Sequence, residues 1–314
     1  MGVPMTTGEH YPVMQGEVMS GLNIKSSGIY VDATFGRGGH AAAILQCLGE
    51  NGRLIAMDRD PQAVIVAQQR FSNDPRFCMV QGAFAGLYKM LDDRGLVGQV
   101  DGLLMDLGVS SPQLDEAGRG FSFRNEGPLD MRMDPSAGMS AVEWLKVAPE
   151  AEIARVLHEF GEERFSRRIA RAIVSARQQS PIETTTQLAA IVAAANPAWE
   201  KGKDPATRSF QAIRIHVNNE LDQLQQCLER VVEMLAVGGR LAVISFHSLE
   251  DRMVKRFIRR QAQGDLLPRG MPITGEQQNI RMRSVGRAQR PTQLEIDENP
   301  RSRSAVLRVA EKLL

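Results

Sequence analysis

The stretch Val31-Asp32-Ala33-Thr34-Phe35-Gly36-Arg37-Gly38-Gly39-His40 constrains the fold more than any other part of this chain. It leaves an apolar run and enters a helical pattern. It therefore predicts a strand over Ile29 to Phe35, a glycine-rich turn and a helix through Leu48. Glycines at such a turn let the backbone approach a ligand without Cβ obstruction and take positive φ where required. The same rhythm repeats downstream. Arg53 to Met57 reads as a second strand, followed by Asp60-Pro61 as N-cap and first helical residue. Phe77 to Val80 reads as a third strand and Val100 to Leu107 as a fourth, apolar almost throughout, as a buried parallel strand should be. Strands alternating with helices in this way predict an α/β fold with a mostly parallel, doubly wound sheet. With 5% aromatic residues against 28 glycines, the composition suits tight strand–helix turns better than a β sandwich.

The rhythm stops near Leu114. From there to Arg214 no strand pattern is evident: a Gly/Pro-rich loop, Gly118 to Gly138, leads into helical periodicity. Ile153, Val156, Leu157 and Phe160 form one apolar stripe, and Thr184 with Gln187 fits a capping box. The sheet pattern then resumes. Ile213 to Leu235 reads as one long helix stopped by Gly238-Gly239, Arg240 to Phe246 as a fifth strand, and Ser304 to Val309 as another. Gln261 to Asn299 reads as an extended excursion. The expected organisation is a sheet domain from 1–113 and 215–314, split by a helical domain at 114–214.

A net charge of +1 does not by itself announce nucleic acid, but its distribution is uneven. Arg252, Lys255, Arg256, Arg259, Arg260, Arg281, Arg283, Arg287, Arg290, Arg301, Arg303 and Arg308 make the last quarter basic, enough to guide a polyanion to one side of the molecule. Cys47, Cys78 and Cys227 are dispersed, which argues against a disulfide framework or a zinc ribbon, so no metal is expected. No leader pattern or membrane-length apolar run is seen, and the reading is a cytoplasmic protein.

Asp58 follows the glycine turn at the end of the second strand, where a carboxylate can accept both ribose hydroxyl protons. Gly36-Arg37-Gly38-Gly39-His40-Ala41 also satisfies a dinucleotide-binding spacing, so the glycines alone leave a nicotinamide dehydrogenase open. Asp32 and Thr34, polar groups inside the first strand, favour a methyl-donor site. The fourth strand ends in Asp106-Leu107-Gly108-Val109-Ser110-Ser111-Pro112-Gln113. Amino-group methyltransferases carry an Asp/Asn-Pro-Pro-aromatic motif at this place, although no aromatic follows Pro112 here. Asp106 and the carbonyls of Ser110, Ser111 and Pro112 are candidate acceptors for an exocyclic amine. Asp106 contacting the cofactor, or capping the loop, stays open. His247 is a further catalytic candidate, whereas Ser248 with Asp251 reads as a helix capping box. Arg164, Arg168 and Arg171 are expected on one helical face, suited to phosphates or to a solvated row of ion pairs.

Together these segments resemble the bacterial small-subunit rRNA cytosine-N4 methyltransferases, the MraW/RsmH family. The resemblance runs through Thr34 to His40, Asp106 to Asp115, Gly127-Pro128-Leu129-Asp130-Met131-Arg132-Met133-Asp134, Gly161 to Arg164, Thr207-Arg208-x-Phe210-Gln211-Ala212, Ile244 to Asp251 and Asn299-Pro300-Arg301. His10-Tyr11-Pro12-Val13-Met14 matches the family's N-terminal motif except at Met14. It implies a class I (Rossmann-like) methyltransferase fold with an inserted α-helical substrate-recognition domain. It further implies S-adenosyl-L-methionine as cofactor, held by Gly36, Gly38, Gly39, His40, Asp58, Phe84, Asp106 and Gln113. The expected substrate is a cytidine in the decoding region of 16S rRNA within the 30S subunit, with Arg208 joining the arginines as RNA contacts. A methyltransferase of DNA or free nucleosides, or a non-catalytic RNA-binding factor, stays open on the residues alone, as does a single chain against a homodimer.

Overall fold

The computed structural model describes residues 12–198, 204–264 and 279–314. His10 and Tyr11 of the N-terminal motif lie outside the described residues. The chain divides into two compact units, Met1–Gly108 with Asp222–Leu314, and Val109–Leu221.

The first unit begins with α1 (Gln15–Leu22), β1 (Ile29–Asp32), α2 (Gly39–Cys47), β2 (Arg53–Asp58), α3 (Pro61–Phe71), β3 (Phe77–Gln81), α4 (Leu87–Asp92) and β4 (Val100–Asp106). The second unit holds α5 (Ser111–Asp115), α6 (Ala141–Val147), α7 (Glu150–Gly161), α8 (Ser166–Gln179), α9 (Thr185–Ala195) and α10 (Thr207–Asn218). The chain returns through α11 (Glu220–Met234) to β5 (Leu235–Ser245), α12 (Ser248–Gln263), β6 (Met282–Ser284), α13 (Gln293–Glu298) and β7 (Val306–Lys312).

The seven strands lie in the order β3-β2-β1-β4-β5-β7-β6. The first five are parallel, while β7 runs antiparallel to both β5 and β6. This is the doubly wound, mostly parallel α/β sheet that the strand–helix rhythm predicts. Its order reverses at β1, which sits between β2 and β4, and such a switch point opens a ligand crevice at the carboxyl ends of the strands. Apolar faces are covered on both sides. Val31, Leu103, Met105 and Val243 belong to one core cluster with α11 and α12, and Leu54, Ala56, Leu104 and Ile244 belong to another with α1 and α2. The Asp60-Pro61 start of α3 is as expected, with the Asp60 side chain accepting from Gln62 N.

The helical unit has its own core, built from Ile153 and Val156 of α7, Ile169 and Ile173 of α8, Leu188 and Val192 of α9, and Phe210 and Ile213 of α10. Val109 and Leu114 pack against this core, so the turn after β4 belongs to the helical unit. The capping box Thr184–Gln187 starts α9 as expected. The loop 118–138 is pinned, because Leu129 N donates to Glu183 O ahead of α9 and Met131 N donates to Arg119 O.

Three local expectations are corrected. The single helix over 213–235 is two helices, because Asn219 takes a left-handed conformation (φ 51°) and ends α10. Gly238-Gly239 does not stop a helix. Leu235 follows α11 directly into β5, and Gly238 (φ 76°) lies where the β4–β5 register shifts between Val100 and Gly102. The 261–299 excursion contains β6 and α13, whose pairing with β7 and whose Thr292 cap are tertiary and local features hidden under a polar composition. Among the described residues no helix is long and apolar enough to cross a membrane.

Asn218, buried at the end of α10, accepts from Met133 N and donates to Met131 O and Arg214 O. Asn218→Ala is expected to cost about 2–4 kcal/mol, because it strands a buried amide and a buried carbonyl. An unchanged urea midpoint would show that the loop finds other partners.

Candidate active site

In the first unit, β1, β2 and β4 end in Asp32, Asp58 and Asp106. Parallel register alone brings three carboxylates to one edge of the sheet. The glycine turn is bonded across the same edge. Phe35 N donates to Met57 O, Ala33 N to Leu104 O, and Gly36 N to Asp58 Oδ2 at 2.7 Å. The other Asp58 oxygen accepts Asp60 N at 2.9 Å. Each oxygen of a carboxylate has a second lone pair, so Asp58 retains acceptor capacity for a pair of hydroxyls. Burial pushes the Asp58 carboxyl up, and the backbone N–H groups of Asp60 and Gly36 work against that shift.

Gly38 caps α2 in the left-handed region (φ 76°), with no side-chain cap on the helix. A Cβ there would lie 2.6 Å from the Phe35 ring and 2.8 Å from Phe71. Those rings meet edge to face at 5.9 Å. The loop therefore lies directly on an aromatic support and presents bare backbone at the start of a helix, where anionic groups are favoured.

His40, the second residue of α2, is 5% exposed. Neither ring nitrogen has a hydrogen-bond partner, and Nε2 stands 3.6 Å from Asp106 Oδ2. Asp32 Oδ2, Asp106 Oδ1 and Ser245 Oγ are also buried without partners. Buried polar atoms are nearly always paired, so a concentration of orphans at strand ends marks a place completed by a ligand. Asp32 is pushed up to about 7, chiefly by burial; His40 opposes the shift, and Asp106 and Asp58 add to it. Thr34 Oγ1 accepts Asp106 N at 2.6 Å and ties the turn to β4. Phe84 follows β3 half-buried against the core, and Gly82 N donates to Asp58 O beside it.

The structure thus brings together Gly36, Gly38, Gly39, His40, Asp58, Phe84 and Asp106. The turn comprising Ser110, Ser111, Pro112 and Gln113 belongs to the helical unit. There Ser110 caps α5, with Pro112 in its first turn, and buried Gln113 closes the turn by accepting Ser110 N. The capping box expected at Ser248 and Asp251 is instead formed one residue earlier. His247 is the N-cap, and Glu250 Oε2 accepts both Phe246 N and His247 N. His247 Nε2 lies 3.1 Å from Glu250 Oε1 but outside hydrogen-bond geometry. Asp251 is free to grip Arg308 through both oxygens. The arginine face is also narrower than expected. Arg164 precedes α8, with its guanidinium 5.5 Å over the Phe165 ring. Arg168 and Arg171 are exposed on α8, the latter 3.7 Å from Glu150, and Arg208 donates to Glu162 O. Asp32, whose place in an apolar strand favours a methyl-donor site, has no contact assigned to it from sequence, and neither has Ser245. An acid inside an apolar strand is a legible signal for the first, and nothing in the local sequence marks the second.

Residues 7–313 match the sequence profile of the MraW methylase family. The chain belongs to the MraW methylase family. A relative from Thioalkalivibrio sulfidiphilus (strain HL-EbGR7), named ribosomal RNA small subunit methyltransferase H, is 58% identical over 305 residues, covering 97% of this chain and 97% of that protein. Among solved structures, an rRNA methylase from Streptococcus thermophilus aligns at 14% identity and a TM-score of 0.40, over 96% of this chain and 92% of that one. A SAM-dependent O-methyltransferase from Thermotoga maritima aligns at 10% and 0.42, over 98% and 68%. Membership of the MraW methylases removes the dehydrogenase reading that the glycine spacing had left open.

Two outcomes follow from this geometry. Asp32 rises from 3.8 to about 7 on folding. Between those values the unfolded chain releases a proton that the folded chain keeps, so this group lowers stability as pH rises and levels off above about 7. Relative to Asp32→Asn, the ligand-free protein should therefore lose urea resistance from about pH 4 to about pH 7; parallel curves would mean that the carboxyl titrates as in water. His247→Ala should cost about 1 kcal/mol as a lost N-cap. A slower methyl transfer with unaltered stability would instead assign the imidazole to the reaction.

Proposed function

We propose that this chain transfers a methyl group from S-adenosyl-L-methionine to the N4 amine of a cytidine in the decoding region of 16S rRNA, acting on the 30S subunit in the cytoplasm. One observation carries the reading. In a chain whose residues 7–313 match the MraW methylases, Asp32, His40 and Asp106 carry buried, unpartnered polar atoms beside the glycine turn at the sheet's switch point.

The residues fit the donor. Gly36, Gly38 and Gly39 admit close backbone approach, Asp58 accepts ribose hydroxyls, and Phe84 offers an apolar side to the adenine. Asp32, His40 and Asp106 supply polar partners for the amino-acid end, and carboxylates suit its positive groups. The bound donor supplies a methyl group on a sulfonium sulfur, which leaves with little assistance. The protein's work is therefore positioning, because the N4 lone pair is delocalised into the cytosine ring and attacks only when held in line. A carboxylate that accepts an N4 hydrogen favours a pyramidal nitrogen, and Asp106 carries an unpartnered oxygen for this or for the cofactor. The methylated nitrogen sheds its extra proton after transfer, so no strong base is needed. The family resemblance adds Ser110, Ser111, Pro112 and Gln113. It also assigns the helical unit, with Arg164, Arg168, Arg171 and Arg208, to substrate recognition.

The deciding experiment incubates the protein and labelled donor with 30S subunits from a strain lacking the activity, then analyses the rRNA nucleosides by mass spectrometry. A single new N4-methylcytidine confirms the reading. Methyl transfer to DNA or free cytidine alone would overturn the substrate. Asp106→Ala should reduce transfer by about 100-fold or more, as expected when an aligned acceptor is lost from a transition state. An accompanying loss of donor affinity assigns Asp106 to the cofactor, and unaltered affinity assigns it to the base.

A further inference from the structure

Away from the glycine turn, the first unit carries a second concavity. A cavity of ≈ 180 Å³ lies between α12, the segment after β6 and β7. Its floor is apolar, with Ile258 and Val309 buried, and its walls carry Lys255, Arg259, Arg287 and Arg308 together with Ser284. Among the described residues no acidic side chain lines it. Arg308 is held by both oxygens of Asp251, which fixes its guanidinium and balances one charge. Lys255, Arg259 and Arg287 are exposed. For Arg259 the described contact is to the neutral Gln263 Oε1 at 3.3 Å. Three cations thus converge on one small concavity, and no carboxylate among the described residues lining it balances them. Like charges so placed repel one another and gain most from an anion that several can share.

The shape favours a phosphate group over a carboxylate metabolite. Guanidinium forks and a lysine ammonium around a hydroxyl match a compact, multi-oxygen anion. The apolar floor has room for the adjoining sugar edge. The cavity is also placed usefully for a polymer. Helix α12 starts just beyond the carboxyl end of β5, where Ser245 Oγ lies buried and unpartnered. Lys255 and Arg259 lie about 10 Å and 17 Å farther along the helix axis. An RNA strand with one nucleotide at the strand ends can therefore lay a phosphate a few nucleotides away here.

We propose that this cavity is a phosphodiester-binding site that grips the backbone of the substrate RNA a few nucleotides from the target. The inference rests on the reading of the chain as an rRNA methyltransferase. A backbone grip contributes affinity and orientation but no sequence discrimination.

The test measures binding of small-subunit rRNA across a salt series for the unsubstituted protein, Lys255→Gln and Arg287→Gln. Lys89→Gln on α4 serves as a control of equal charge change, since Lys89 is engaged with Asp93 at the surface. Each cavity substitution should weaken binding several-fold and lower the slope of log affinity against log salt by about 1, the signature of one lost phosphate contact. Lys255→Arg should restore both, and the affinity for donor should not move in any of these variants. Slopes equal to that of the unsubstituted protein, or the same loss in Lys89→Gln, would overturn the site. Methyl transfer in the same samples separates the two claims. If the unsubstituted protein methylates small-subunit rRNA while the cavity variants bind it normally, the cavity proposal alone fails. If it binds rRNA through the cavity but methylates none, the functional reading fails and the phosphate site stands.

Discussion

The carboxylate of Asp58 accepts Gly36 N–H from the glycine turn with one oxygen and Asp60 N–H from the start of α3 with the other. Two loops that leave neighbouring strands are thereby tied to one side chain at the sheet's switch point. With the turn anchored, Phe35 seats on Phe71, Gly38 adopts its left-handed conformation, and α2 begins where His40 faces inward. Loss of this double anchor would free the turn as a whole. The two backbone donors offset part of the burial penalty on that carboxylate, and it keeps lone pairs for a ligand.

Around that anchor the unit tolerates a local instability. Asp32 is buried inside an apolar strand with one oxygen unpaired, and burial pushes it up to about 7. His40 and Ser245 are left equally unsatisfied. The apolar sheet, with Leu54, Leu104 and Ile244 fully buried, offsets this strain. Such a balance is expected where a cationic ligand completes the site, since its binding removes several penalties at once. The basic cavity beside α12 shows the same logic in the opposite sign. Cations held near each other on a rigid floor are suited to a polyanion.

Much of this is legible in the sequence. The strand–turn–helix repeat, the Asp60-Pro61 cap and the Thr184–Gln187 box depend on neighbours within a few residues, so their side-chain chemistry announces them. The departures have separate physical causes. At Asn219 the break in the helix needs a left-handed residue, and an asparagine inside an amphipathic pattern looks like an ordinary polar position. Gly238-Gly239 resembled a helix stop because the strand shift it serves is visible only against Val100 on β4. The cap at His247 was displaced by one residue because serine is the commoner cap, whereas the position of Glu250 decided it.

Sequence alone determined that the chain builds a doubly wound sheet, where its glycine turn lies, and to which family it is related, because periodicity, caps and spacing are properties of neighbouring residues. It also named Asp58 and Asp106 as strand-end acids. Tertiary structure decided which polar atoms are left without partners, that Asp32 and Ser245 join them, and that Lys255, Arg259 and Arg287 share a cavity with Arg308. Those facts depend on burial and on groups far apart in the chain meeting across a sheet, and a linear pattern carries neither distance nor solvent.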